Sequence, residues 1–283
     1  MSEYPIQRWK VGDATVTKVV ECVQKWPFSA LLPDVTEEML DADWLAPFAH
    51  DDGRMLLSFH AFVIESRGRT IVVDTCIGND KERTPHVFDH LQTSFIADLD
   101  EAGFTTDDVD TVFCTHLHVD HVGWNTTLVD GRWVPTFPRA RYLLDQREID
   151  YLRAEPQGLG DVYGDSVAPV LDAGVVDLVE PDHRLTDEVW LEPTPGHTPG
   201  HHSVRVNSGG SDAVITGDMV HHPVQIVRPD ICSNADWRPE LAAATRNQAY
   251  ERWGPDMLVI GTHFATPTAG RLERDGDAWR LDC

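Results

Sequence analysis

The chain has 283 residues, enough for one large domain or two small ones with a sizeable core. Its 47 acidic against 23 basic side chains give a net charge of −24, which repels phosphate backbones and makes nucleic acid a poor partner. No apolar run is long enough to span a bilayer, and Met1-Ser2-Glu3-Tyr4-Pro5 carries neither a basic nor an apolar leader. With five scattered cysteines that form no disulfide framework, the expectation is a cytoplasmic protein that meets a small-molecule substrate and no membrane.

Residues 11–23 alternate and are rich in β-branched side chains, which predicts an opening strand or hairpin. Residues 24–53 read as a long irregular segment holding Trp26, Phe28, Leu31, Leu32, Trp44, Leu45 and Phe48. So many aromatics argue against disorder. The segment is expected either to lie over a site as a flap or to pack on the core edge or on a second subunit, as in a homodimer. Residues 56–66 and 69–74 predict a hairpin around Arg67-Gly68. The spacing of Val87, Leu91, Phe95, Ile96 and Leu99 predicts a helix over 86–102, stopped by Gly103.

Further on, 109–114 reads as a short buried strand, 130–131 as a hairpin turn and 140–144 as a strand. Helices are predicted over 146–153 and 161–172, and short strands at 175–179, 189–192, 202–206 and 213–216. A helix over 239–253, with Pro239 in its first turn and Gly254 at its end, leads into a last buried strand at 257–260. A closing hairpin turns near Asp275-Gly276. Nothing marks a linker, so 1–283 is read as one domain.

The stretch that organises the chain is Thr115-His116-Leu117-His118-Val119-Asp120-His121, where potential metal ligands crowd a strand end. A helix brings only positions three or four apart onto one face, so this run suits a tight loop that turns ligands toward two centres. Other apolar runs also stop on groups that are costly to bury alone. The run 71–73 ends on Asp74, 214–216 on Gly217-Asp218, and 258–260 on Gly261-Thr262-His263. The Gly- and Pro-rich stretch Pro195-Gly196-His197-Thr198-Pro199-Gly200-His201-His202 makes a rigid loop around His197. The candidate ligands are His116, His118, Asp120, His121, His197, Asp218 and His263. They are too many for one tetrahedral zinc and suit two ions sharing a carboxylate and a hydroxide.

In this order the motifs resemble those of metallo-β-lactamase-fold hydrolases. The resemblance implies a four-layer αβ/βα sandwich of the α+β class: two mixed β-sheets face to face, with helices on the outer faces. It implies two zinc ions per chain, other first-row metals being possible. His116, His118 and His197 would hold the first and Asp120, His121 and His263 the second, with Asp218 between them. Asp74 matches an aspartate that orients ligands, and His201 is expected to support them through hydrogen bonds.

Asp218 stands where many β-lactamases of this superfamily carry Cys, which argues against antibiotic hydrolysis. His118, in place of a Glu, argues against di-iron redox chemistry. The acidic composition argues against nucleases, and no basic C-terminal cluster is present to hold glutathione. What remains is the lactonase, ester and organophosphate hydrolase branch, which the stretch 217–225 also resembles. The expected reaction is cleavage of a small, fairly apolar ester or lactone, with Asp120 as the catalytic side chain. A thioester or phosphotriester hydrolase at the same metals and a non-catalytic metal-binding scaffold are the alternatives. Trp26, Phe28, Trp44, Trp124, His221 and His222 are the candidates for the substrate pocket.

Overall fold

A computed structural model describes residues 4–40, 48, 52–84, 86–156 and 158–283. The chain opens with β1 (Gln7–Val11), β2 (Ala14–Trp26), the single turns α1 (Phe28–Leu31) and α2 (Glu37–Leu40), then β3 (Met55–Ser66) and β4 (Arg69–Val73). α3 (Phe95–Glu101) leads to β5 (Thr111–Phe113), and the small hairpin β6 (Thr126–Val129) and β7 (Arg132–Pro135) follows. Next come β8 (Arg141–Leu144), α4 (Gln146–Ala154), α5 (Ala168–Asp172) and β9 (Val176–Leu178). The second half holds β10 (Val189–Pro193), β11 (His202–Ser208), β12 (Ser211–Ile215), α6 (Val224–Val227), α7 (Pro239–Trp253), β13 (Leu258–Ile260), β14 (Ala269–Asp275) and β15 (Ala278–Asp282).

Two mixed sheets result, in the orders β1-β2-β3-β4-β5-β8-β9 and β10-β11-β12-β13-β14-β15. β4, β5, β8 and β9 run parallel, as do β12 and β13, while the remaining neighbours are antiparallel. The alternation along β3 and β4 shows why the layers stack. Phe62, Ile64, Ile71 and Val73 face a core shared with Leu191, Val204, Ala213 and Ile215 of the second sheet. Their neighbours Ala61, Val63 and Val72 face the opposite way, against Phe95 and Leu99 of α3 and Ile149 of α4. The outer face of the second sheet is covered by Ala249, Tyr250 and Trp253 of α7. The architecture is therefore helix, sheet, sheet, helix, the α+β sandwich of the metallo-β-lactamase fold. Among the described residues, no helix is long and apolar enough to cross a membrane.

Three local expectations are corrected. The helix over 86–102 forms only at Phe95–Glu101. Upstream, the amides of Asp80 and His90 bond to the carbonyls of Leu91 and Lys81, and Asn79 binds Thr93 through both ends of its amide, so the chain folds on itself in turns. The apolar spacing misled because Val87 is exposed. Residues 24–40 are more regular than expected, because β2 runs on to Trp26 beside β3 before α1 and α2. The helix over 161–172 splits into a wide π-turn at Tyr163–Val167 and α5.

Candidate metal centre

The strand ends converge because β4 and β5 are neighbours in one sheet and β12 and β13 in the other, all pointing the same way within their sheet. Asp74 follows β4 in a left-handed conformation (φ 59°) and binds the next strand end. It accepts from the backbone N–H of Thr115 at 2.8 Å and from its hydroxyl at 3.0 Å, and its Oδ2 lies 2.9 Å from His121 Nδ1. The Thr115 hydroxyl, donating to Asp74, sits 3.0 Å from His116 Nδ1 and can accept its proton. That relay leaves the His116 Nε2 lone pair free to bind elsewhere.

Asp218 is the hub. Its Oδ2 lies 3.7 Å from His116 Nε2 and 3.4 Å from His197 Nε2, and its Oδ1 lies 3.3 Å from His121 Nε2 and 3.1 Å from His263 Nε2. Donor atoms thus fall into two groups, His116–His118–His197–Asp218 and Asp120–His121–His263, each within 4.8 Å internally. The Asp218 backbone N–H donates to His201 Nε2 at 2.9 Å, and Thr194 Oγ1 lies 2.8 Å from the other ring nitrogen. His201 therefore supports the hub and does not face the cluster centre. Gly217 makes this approach possible: at φ 55° a Cβ would lie 2.5 Å from His201 Nε2.

The donor set is of the kind that holds a divalent cation. His116 Nε2, His121 Nε2 and Asp218 Oδ1 are buried without a hydrogen-bond partner, an arrangement that costs stability unless something electropositive satisfies it. Imidazole nitrogens with carboxylate oxygens suit zinc or a similar first-row ion. Burial, together with the neighbouring imidazoles, holds His116 and His118 well below the usual histidine range, so both are neutral lone-pair donors. Burial opposes charge on His121 too, but Asp218, Asp74 and Asp120 outweigh it and raise its pKa well above the usual value.

The cluster opens on a cavity of about 380 Å³. Asp120, His118, His197, His221 and His263 form its floor, and Trp26, Leu31, Leu57, Phe59, Phe88 and Leu159 its walls. No Lys or Arg lines it among the described residues. Of the pocket candidates, Trp26 and His221 line this space. Phe28 and His222 do not: they pack edge to face at 5.0 Å behind it, with His222 Nε2 3.1 Å from the Phe48 carbonyl. Trp124 turns away as well, because its indole N–H donates to buried Glu21 at 2.7 Å and its ring stacks on Phe95. Trp44 lies outside the described residues.

Reading the sequence missed Asp236, whose Oδ1 lies 3.0 Å from His197 Nδ1 and fixes the ring so that Nε2 faces the hub. The segment around it is laced to the His197 loop by bonds from Trp237 N to the His197 carbonyl and from Arg238 N to that of Gly196. Nothing local marks Asp236 among the chain's many acids. Leu57 and Phe59 were legible in principle, as alternate positions of a predicted strand beside His60.

Residues 58–273 match the metallo-beta-lactamase superfamily, and the chain belongs to that family. Among curated relatives, an N-acyl homoserine lactonase of a Bacillus species is 28% identical over 117 residues, 41% of this chain and 40% of that protein. A probable metallo-hydrolase of Mycobacterium tuberculosis is 24% identical over 248 residues, 76% of this chain and 77% of its own length. The match to a second N-acyl homoserine lactonase, from Bacillus cereus, covers 60% of that protein, so the chain spans between two fifths and three fifths of the length of these lactonases. Among solved structures, the hydrolase AbOPH superposes with a TM-score of 0.79 at 22% identity, over 100% of this chain and 99% of that one. The dizinc quorum-quenching lactonase AidC superposes with a TM-score of 0.75 at 17% identity, over 98% and 96%. These likenesses establish the fold.

Proposed function

We propose that this chain is a di-zinc hydrolase that cleaves a small, fairly apolar ester or lactone. The observation that carries the reading is Asp218, whose two oxygens face two separate groups of histidines at the floor of an apolar cavity. The lactonases among its relatives and structural neighbours support it. His116, His118 and His197 would hold one ion, Asp120, His121 and His263 the other, and Asp218 would serve both. Bound there, a zinc pair lowers the pKa of a water toward neutrality and polarises an ester carbonyl.

The protein's own groups then divide the work. The aromatic and aliphatic walls take the apolar arm of the substrate and exclude water. No Lys or Arg stands on the described walls to pair with an anionic substrate arm, so the part of the substrate held there is neutral and apolar. Asp120 Oδ2, 3.5 Å from His263 Nε2 and 3.6 Å from His121 Nε2, stands at the floor, where it orients an attacking water and accepts its proton. His221, neutral and buried at the edge of the floor, holds Nε2 3.3 Å from Asp218 Oδ2 and steadies the shared carboxylate.

The test combines metal analysis, chelation and a substrate panel. Two equivalents of zinc are expected, with turnover of a neutral lactone lost on chelation and restored by zinc. Metal-free protein that takes up no zinc overturns the reading. Zinc-loaded protein that cleaves only thioesters or phosphotriesters moves it to another substrate class, and zinc-loaded protein that cleaves nothing in the panel points to the scaffold.

A further inference from the structure

The three histidines assigned to one ion come from two different loops, and Glu148 of α4 holds those loops together. His116 and His118 follow β5, whereas His197 lies between β10 and β11. Each oxygen of the Glu148 carboxylate takes one loop. Oε1 accepts from the backbone N–H of Gly200 at 2.6 Å, and Oε2 from that of Leu117, between His116 and His118, at 3.2 Å. The side chain is buried, with 2% of its surface exposed.

This is not ordinary helix capping. A glutamate in the first turn commonly reaches back to the amide of its own N-cap residue. Here the N-cap is Asp145, which accepts from Arg147 N at 2.7 Å and pairs with the Arg147 guanidinium, while Glu148 reaches out of the helix. The helix is seated tightly to do so. A Cβ on Gly200 would lie 3.0 Å from Asp145 Cγ and 3.1 Å from Glu148 Cγ, so the loop approaches α4 as closely as a glycine permits. The Asp120–His121 end of the same run is held by other means, through Thr75 N to the His121 carbonyl at 2.8 Å and through Asp74.

We infer that Glu148 is a positioning residue: it sets the spacing between the His116–His118 loop and the His197 loop, and so the affinity of that three-histidine group for its ion. The inference rests on the metal reading proposed above. It makes a site-selective prediction, because the Asp120–His121–His263 group has its own supports. The loops stay joined without it through His202 N to the Thr115 carbonyl at 3.0 Å, so the fold does not depend on the clamp alone.

Glu148→Gln keeps the shape but turns one acceptor into a donor that faces a backbone N–H. Gly200→Ala keeps the carboxylate and crowds Asp145 and Glu148, which shifts the loop against the helix by a few tenths of an ångström. Both full-length variants are titrated with zinc against a chromophoric chelator, and their cobalt(II) absorption spectra are compared with wild type. The wild type is expected to show two binding steps. In each variant one step weakens about 10- to 100-fold, with an altered cobalt spectrum, and the other stays within about 2-fold. Circular dichroism of the chelated proteins should be unchanged. Equal weakening of both steps, or none, overturns the inference while leaving the metal reading in place. A wild type that binds no zinc removes the metal reading, and the clamp with it. If Glu148→Gln does not fold, Gly200→Ala decides alone on the same criteria.

Discussion

The buried polar groups at the strand ends and those around Asp165 are built from similar materials and close differently. Asp165 receives a two-pronged bond from Arg83, at 2.5 and 2.8 Å, and a third from the Ser166 hydroxyl. Lys81 lies 3.5 Å away, donates to Thr126 and to the Asp165 carbonyl, and covers the Trp133 ring at 3.7 Å. Burial works against this carboxylate, yet the two cations hold its pKa below the ordinary value. Both cations in that knot lie against the one carboxylate, and only Arg83 Nε among their charged groups is left without a hydrogen bond. At the strand ends, Asp218 and the imidazoles around it face one another across lone pairs, and several buried donor atoms there have no partner at all. A closed cluster of this kind is structural. An open one, at the floor of a cavity, is built to receive cations.

Substitutions test that contrast, beginning with the largest effect. Asp218→Ala removes the carboxylate shared by both groups. Bound zinc should fall from two equivalents to below one, and hydrolysis should drop more than about 100-fold, since losing even an outer partner of a ligand costs 10- to 100-fold. Metal analysis and steady-state kinetics read both. Asp165→Asn attacks the closed cluster instead. It leaves Lys81 and Arg83 buried without their counter-charge and should cost about 3–5 kcal/mol in denaturant unfolding, with zinc uptake of the folded protein unchanged. Equal loss of zinc in this variant would erase the distinction between the clusters.

The smallest effect concerns a third buried carboxylate and its pH dependence. Glu192 accepts from Arg205 at 2.9 Å, from Arg252 Nε at 3.0 Å and from the Trp253 indole at 3.0 Å. Burial pushes its pKa up, but the two guanidinium groups more than offset this and hold it below 4.5. A carboxylate whose folded pKa is depressed contributes its stability above the unfolded pKa and loses it as pH falls through the folded one. Glu192→Gln should therefore be less stable than wild type by about 1–3 kcal/mol at pH 7. The gap should hold down to about pH 5 and shrink on further acidification, since the acid form and the amide then differ little. A gap that widens in acid would reverse the assigned direction.

The elements legible in the sequence were those whose signal is local. The strands that end in Asp or His stood out because an apolar run followed by an ionisable group is costly unless many such ends meet. The Gly- and Pro-rich loop at 195–202 stood out because its residues restrict the backbone themselves. The helix over 86–102 was misread because apolar spacing alone cannot tell a helix from turns tied by side chains, as Asn79 ties Thr93. Trp124 was given to the pocket on proximity in sequence to the ligand run, but Glu21, more than a hundred residues earlier, claims its indole.

The pool of candidate ligands was legible in the amino-acid order because it rests on short motifs at strand ends, and the family and the sandwich followed as what the resemblance of those motifs implies. Only the tertiary structure decided which aromatic rings face the cavity and which further carboxylates, beyond Asp74, brace the ligand loops. Asp236 and Glu148 are unremarkable acids in a chain with 47 of them. They gain their roles from backbone amides and imidazoles that only the packing of α4, α7 and the two sheets brings within hydrogen-bonding distance.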